Sequence, residues 1–110
     1  MKVCPIRHYL KYYGPGIWYS LHVIAYNCDM NIIDREVFVQ YISTMSVWLP
    51  CKKCRAHCQQ YLRANPIPTS NLFKWSVDFH NAVNRRLKRQ EYSYYEAFDM
   101  LHSIQSGCNK

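Results

Sequence analysis

The residues Leu49-Pro50-Cys51-Lys52-Lys53-Cys54 decide how the rest of this chain is read. Two cysteines separated by two residues can close a small disulfide ring or hold a metal, and the flanking segments choose the scaffold. Before the pair, Phe38, Tyr41, Ile42, Met45 and Leu49 recur at helical spacing, and Asp34 stands where that helix needs an N-cap. After it, Pro50 suits the start of a further helix, from Cys51 to about Ala64. Runs of alternating apolar and polar residues are scarce, so the pair lacks the strands of a thioredoxin-type site.

The same period extends to both ends. Gly14-Pro15-Gly16 opens a first helix from about Ile17 to Tyr26, with Trp18, Leu21, His22 and Ala25 on one stripe. Beyond the connector Asn65 to Thr69, a fourth helix begins at Ser70 or Asn71 and runs to about Leu87, carrying Leu72, Phe79, Val83 and Leu87 inward. Ser93 and Glu96 form a capping box for a fifth, shorter helix with Ala97, Phe98, Leu101 and Ile104. Short connections favour antiparallel neighbours. The expected fold is all-α, a four-helix bundle with a short fifth helix, in one domain over residues 1–110 with its core at about 10–105.

Composition narrows the function. With 49% apolar residues, ten tyrosines and three tryptophans, the chain is no disordered basic tail. The formal charge of +7 raises nucleic acid, anionic lipid or an acidic partner. The basic residues are dispersed, however, apart from Arg85, Arg86, Lys88 and Arg89, where they also complement a helix dipole. No run is apolar enough for a membrane span, and Met1 to Leu10 lacks the core of a secretory signal. Six cysteines in such a chain point to catalytic thiols or a metal site rather than a secreted disulfide scaffold.

At a helix start, unpaired amides and the neighbouring Lys52, Lys53 and Arg55 favour a thiolate, which thiol–disulfide exchange needs. Zinc is the competing reading, through Cys51, Cys54, His57 and Cys58. Inert core cysteines are the third. On other helices, His22 shares a face with Trp18 and Leu21, and either His22 or His80 alone reads as a hydrogen-bonded core residue. His80-Asn81-Ala82-Val83-Asn84 is nonetheless unusual inside a helix, and polar groups on a buried face need partners. A tricyclic ring with carbonyls and ring nitrogens, or an adenine and ribose, would satisfy them. Trp18, Tyr26 and Trp75 offer flat walls for such a group.

Together these pieces resemble the Erv/ALR family of flavin-dependent sulfhydryl oxidases. The matching stretches are Gly14-x-x-x-Trp18-x-x-Leu21-His22-x-x-Ala25, then Pro50-Cys51-x-x-Cys54, then Trp75-x-x-x-x-His80-Asn81-x-Val83-Asn84-x-x-Leu87. Each is moderately specific; the three in this order are highly so. The resemblance implies FAD held beside the CxxC. Gly14, Trp18, His22 and Tyr26 would line it from the first helix, and His80, Asn81, Val83, Asn84 and Leu87 from the fourth. Arg89 stands where the family commonly has a lysine, near the phosphates. Cys51 would be the sulfur that substrate attacks. Cys54, with a lowered pKa, would face the flavin, and oxygen would take the electrons as hydrogen peroxide.

Some features depart from the family. Val77 occupies the place of a structural cysteine found in many cellular members, and no second CxxC follows. Cys4 or Cys108 is a candidate shuttle thiol, while Cys28 and Cys58 read as buried structural thiols. The minimal length resembles the compact oxidases of large DNA viruses. That likeness implies host cytoplasm or virion, with the mitochondrial intermembrane space as the alternative. Implied partners are protein dithiols or a partner redox protein, oxygen, and a second copy in a homodimer, with no nucleic acid. A zinc-stabilised basic helical module binding nucleic acid is the rival, and a structural virion protein without turnover is another.

Overall fold

A computed structural model describes the backbone from Ile6 to Cys108 and the side chains from Pro15 to Ser103. Five helices follow one another, with no strand among the described residues: α1 (Ile6–Asp29), α2 (Arg35–Trp48), α3 (Lys52–Ala64), α4 (Leu72–Arg86) and α5 (Tyr94–Cys108). The all-α bundle matches the expectation, with two differences in length. Helix α1 does not open at Gly14-Pro15-Gly16 but runs through Pro15 from Ile6. Proline forfeits one backbone hydrogen bond while keeping a helical φ, so it weakens a helix without having to end it. Helix α5 is not short: at 15 residues it equals α4, because it continues past Ile104 to Cys108.

Helix α1 is the hub, packing against α2, α4 and α5, while α2 meets α3 and α4 meets α5. The centre is Leu21, Phe38, Ile42, Leu72 and Ser76, all fully buried. Burying each large apolar side chain there contributes about 1.5–3 kcal/mol. Trp75 of α4 sits in this core rather than on a cofactor wall. Its ring lies 5.8 Å from Phe38, 5.8 Å from Tyr61 and 5.4 Å from Phe79, and its indole N–H donates to the Asn65 carbonyl at 3.1 Å. Those contacts join α2 and α3 to α4.

Two helix starts are capped locally, as expected. The Asp34 carboxylate accepts from Glu36 N at 2.9 Å. Ser93 and Glu96 close their box at 3.0 and 3.2 Å. The start of α4 is different. Asn71 adopts φ 58° and makes no side-chain cap, and the amides of Leu72 and Phe73 donate instead to Asp29, at 2.8 and 2.9 Å. A carboxylate at the end of α1 therefore sets the height of α4 against it, and with it the relative height of His22 and His80. Asp29→Ala is expected to cost about 1–2 kcal/mol, because two donors at a helix N-terminus lose a charged acceptor. Urea unfolding measures it; an unchanged midpoint would show that water replaces the carboxylate fully.

At its other end α4 turns through Lys88, with φ 57° and Arg89 N donating to Asn84 O at 2.7 Å. The turn carries Arg89 back toward the helix. The loop beyond is held by Asn81, whose amide donates to Tyr92 O at 2.6 Å and accepts from Tyr92 N at 2.9 Å. Helix α5 thus lies over the space between α1 and α4.

Candidate active site

Cys51 is the N-cap of α3, and its sulfur accepts the backbone N–H of Cys54 at 3.3 Å. Pro50 and the extended backbone of Cys51 turn the sulfur inward over the first turn, as an N-cap side chain must be. Arg55 donates to the Leu49 carbonyl, which folds its guanidinium back over this entrance. Cys51 and Cys54 are both free thiols in this structure.

The two sulfurs titrate in opposite directions. The Cys54 side chain, the amides of Cys54 and Lys53, and the Arg55 charge hold Cys51 below the ordinary thiol range, against some burial. Cys54 is pushed up to about 11, by burial first and then by hydrogen bonding and charge from Cys51; Arg86 opposes this weakly. This corrects the expectation of a lowered Cys54 pKa. The helix-start argument holds, but its benefit goes to the capping sulfur, while the sulfur a turn later is desolvated beside a thiolate. Alkylation of the fully reduced protein should therefore strike Cys51 first, with a rate that rises to its plateau below the pH of an ordinary cysteine. Peptide mapping after brief iodoacetamide treatment checks this, and first labelling at Cys54 would contradict it.

Between α1, α4 and α5 lies a cavity of about 460 Å³. Of the residues named from sequence, Trp18, His22, His80, Asn81, Asn84 and Arg89 line it; among those not foreseen, Val77, Tyr92 and Leu101 do. The spacing of Val77, His80, Asn81 and Asn84 puts them on one face of α4. Asn84 is 6% exposed, and none of the side-chain hydrogen bonds among the described residues involves its amide. It is a polar group that lines the cavity with no side-chain hydrogen-bond partner among the described residues. Asn81 contributes wall, its amide being committed to Tyr92.

Trp18 and His80 stack with centroids 3.9 Å apart and planes 5° from parallel. His22 Nδ1 lies 2.8 Å from Ser76 Oγ, and His22 Nε2 lies 2.9 Å from His80 Nδ1. Burial lowers both histidines to about 4, helped by His80 at His22 and by Arg89 at His80, so both are neutral at pH 7.

Three of the named residues do not reach this cavity. Tyr26, one turn beyond His22, packs on Phe73, Phe98 and His102. Val83 packs against the core, and Leu87, just past α4, is half exposed. The contacts of Gly14 lie outside the described residues, as do those of Cys4 and Cys108. The thiol pair is not part of the cavity wall. The Arg86 charge, in the last turn of α4, acts on Cys54.

The model of the Erv1/Alr family matches residues 15–103, which span α3 with its thiols and most of the cavity wall. This chain belongs to the Erv1/Alr family. Among individual proteins, it is similar to the FAD-linked sulfhydryl oxidase of African swine fever virus. A Kenyan pig isolate's protein is 33% identical over 92 residues, covering 79% of this chain and 77% of the relative. A Malawian tick isolate's is 32% identical over 108 residues, covering 89% and 91%. A putative FAD-linked sulfhydryl oxidase of Invertebrate iridescent virus 3 is 31% identical over 88 residues, covering 74% of this chain and 60% of the relative.

Within this Erv1/Alr chain the rival zinc reading finds no support. No group of three or more His, Cys, Asp or Glu among the described residues converges as metal ligands. Cys58 faces the core, its thiol pushed up to about 11 by burial, and Cys28 is likewise buried. The basic cluster is also dispersed in role: Arg85 pairs with Glu91 at 2.7 Å, Arg86 influences Cys54, and Arg89 lines the cavity. No helix among the described residues is long and apolar enough to cross a membrane.

Proposed function

We propose that this chain is an FAD-linked sulfhydryl oxidase that forms disulfides in protein thiols through Cys51 and Cys54, with oxygen as final acceptor. The observation that carries this reading is the aromatic-walled cavity that Asn84, 6% exposed, lines together with His80 and Arg89, on the helix whose Arg86 charge acts on Cys54. The lining fits the cofactor. Trp18, His22 and His80 supply flat faces for ring systems, Asn84 an amide for ring or sugar polar atoms, and Arg89 a charge for phosphate. When bound, FAD supplies a two-electron acceptor that passes the pair to oxygen as peroxide.

The protein's own contribution is thiol exchange. In the oxidised pair, a substrate thiolate attacks the Cys51 sulfur. The Cys51–Cys54 bond breaks, and its electron pair stays on Cys54. With Cys51 held in the mixed disulfide, the charge and hydrogen bond that raise Cys54 are gone, so Cys54 is a better leaving group than in the reduced pair. A second substrate thiolate attacks the substrate sulfur, releasing the substrate disulfide and Cys51 as thiolate. The Cys54 and Lys53 amides and Arg55 then stabilise that thiolate. Loss of two electrons from the reduced pair to bound FAD would re-form the Cys51–Cys54 disulfide, so that two thiols and one oxygen become one disulfide and one hydrogen peroxide.

Similarity to viral proteins supports work on viral proteins in host cytoplasm or at assembling virions. Exposed Val37, Val47 and Trp48 on α2 support a homodimer. Oxygen uptake with dithiothreitol, alongside peroxide yield, tests the activity. Equal amounts of oxygen consumed and peroxide formed are expected, and no uptake by the FAD-loaded protein would overturn the reading.

A further inference from the structure

Four groups form a line from the core to the cavity. Ser76, fully buried on α4, donates its hydroxyl proton to the Phe73 carbonyl at 2.7 Å. Its oxygen can then only accept from His22 Nδ1, at 2.8 Å, which makes Nδ1 the protonated nitrogen of that ring. His22 Nε2 must therefore carry a lone pair, and the 2.9 Å contact to His80 Nδ1 requires one donor and one acceptor. So His80 Nδ1 bears the proton, and His80 Nε2 bears the free lone pair. Stacking on Trp18 at 3.9 Å fixes the plane of that ring, which lines the cavity. No side chain among the described residues hydrogen-bonds to His80 Nε2.

We propose that Ser76 is a positioning residue which fixes the tautomers of His22 and His80, so that the cavity presents a hydrogen-bond acceptor at His80 Nε2 and selects a ligand bearing an N–H or O–H donor there. Ser76, His80 and Asn84 recur every four residues, so one face of α4 carries the device and the amide beside it. The proposal rests on the flavin reading for its ligand: FAD offers such donors in its adenine amine, its isoalloxazine imide and its sugar hydroxyls. A hydroxyl with its proton otherwise committed is what breaks the symmetry. Without it, His22 is free to donate from Nε2, which forces His80 Nδ1 to accept and turns His80 Nε2 into a donor. A ligand donor would then meet another donor.

Nitrogen-15 NMR of the imidazole nitrogens in the purified protein, with and without FAD, reads the tautomers directly. In wild type, Nδ1 of both rings is expected protonated and Nε2 of both unprotonated. In Ser76→Ala the protonated nitrogen is expected to shift toward Nε2 on both rings, with FAD affinity down about tenfold. A protonated His80 Nε2 in wild type overturns the proposal whatever the variant does. Unchanged tautomers, or unchanged FAD affinity, in a folded Ser76→Ala protein overturn it as well. A wild type with the expected tautomers that takes up no FAD would instead overturn the flavin reading and leave the role of Ser76 standing.

Discussion

Cys54→Ser is expected to lower dithiol oxidation by roughly a thousandfold or more while FAD stays bound. The effect is large because no partial route remains. Cys51 alone is a lone thiol, with no neighbouring sulfur to form the disulfide that a substrate thiolate would attack. Retention of the cofactor follows from the geometry, since neither cysteine lines the cavity, whose wall comes from α1, α4, α5 and the turn at Arg89. Stopped-flow absorbance with excess dithiol measures the first step apart from turnover. Flavin reduction at equal rates in wild type and Cys54→Ser would remove this sulfur from the path of electrons.

Asn84→Ala and His80→Ala are expected to lower FAD occupancy and thermal stability together. A ligand that binds only the folded state at one hundred times its dissociation constant adds about 2.7 kcal/mol. Losing most of that shifts the melting temperature of a domain this size by roughly 10 °C. Stripping the flavin should bring wild type and Asn84→Ala close together, because that amide makes no side-chain hydrogen bond among the described residues and lines the cavity. Asn81→Ala should behave differently: it loses its hold on Tyr92 and melts early even without flavin. Full occupancy and an unchanged melting point in both His80→Ala and Asn84→Ala would leave the cavity without a ligand.

Much of this arrangement is legible in the chain because local rules govern it. Asp34 and the Ser93–Glu96 pair cap the helices they adjoin, and Pro50 immediately precedes Cys51, the N-cap of α3. What escapes is the work of distant groups. Asp29 caps α4 from more than forty residues away, a pairing that no window along the chain reveals. Gly14-Pro15-Gly16 reads as a helix start because proline's cost is local, yet α1 already runs from Ile6 and continues through Pro15.

The site divides along the same line. His80 and Asn84 stand out as polar residues on a helix face, whereas Ser76 is unremarkable until its oxygen is found against His22. Tyr26 continues the stripe of Trp18 and His22, but one further turn carries it to α5. The cysteine pair is plain in sequence, and the order of its pKa values is not. Helix-start electrostatics favour both sulfurs, and only burial and their mutual charge separate Cys51 from Cys54.

Turnover depends on a flavin that takes electrons from the CxxC pair, and the absorbance spectrum of the purified native protein tests this most directly. A yellow protein with an oxidised flavin spectrum is expected, bleaching when dithiol is added without air and recovering when oxygen is admitted. A colourless protein carrying stoichiometric zinc, or a flavin spectrum that dithiol leaves unchanged, would contradict it.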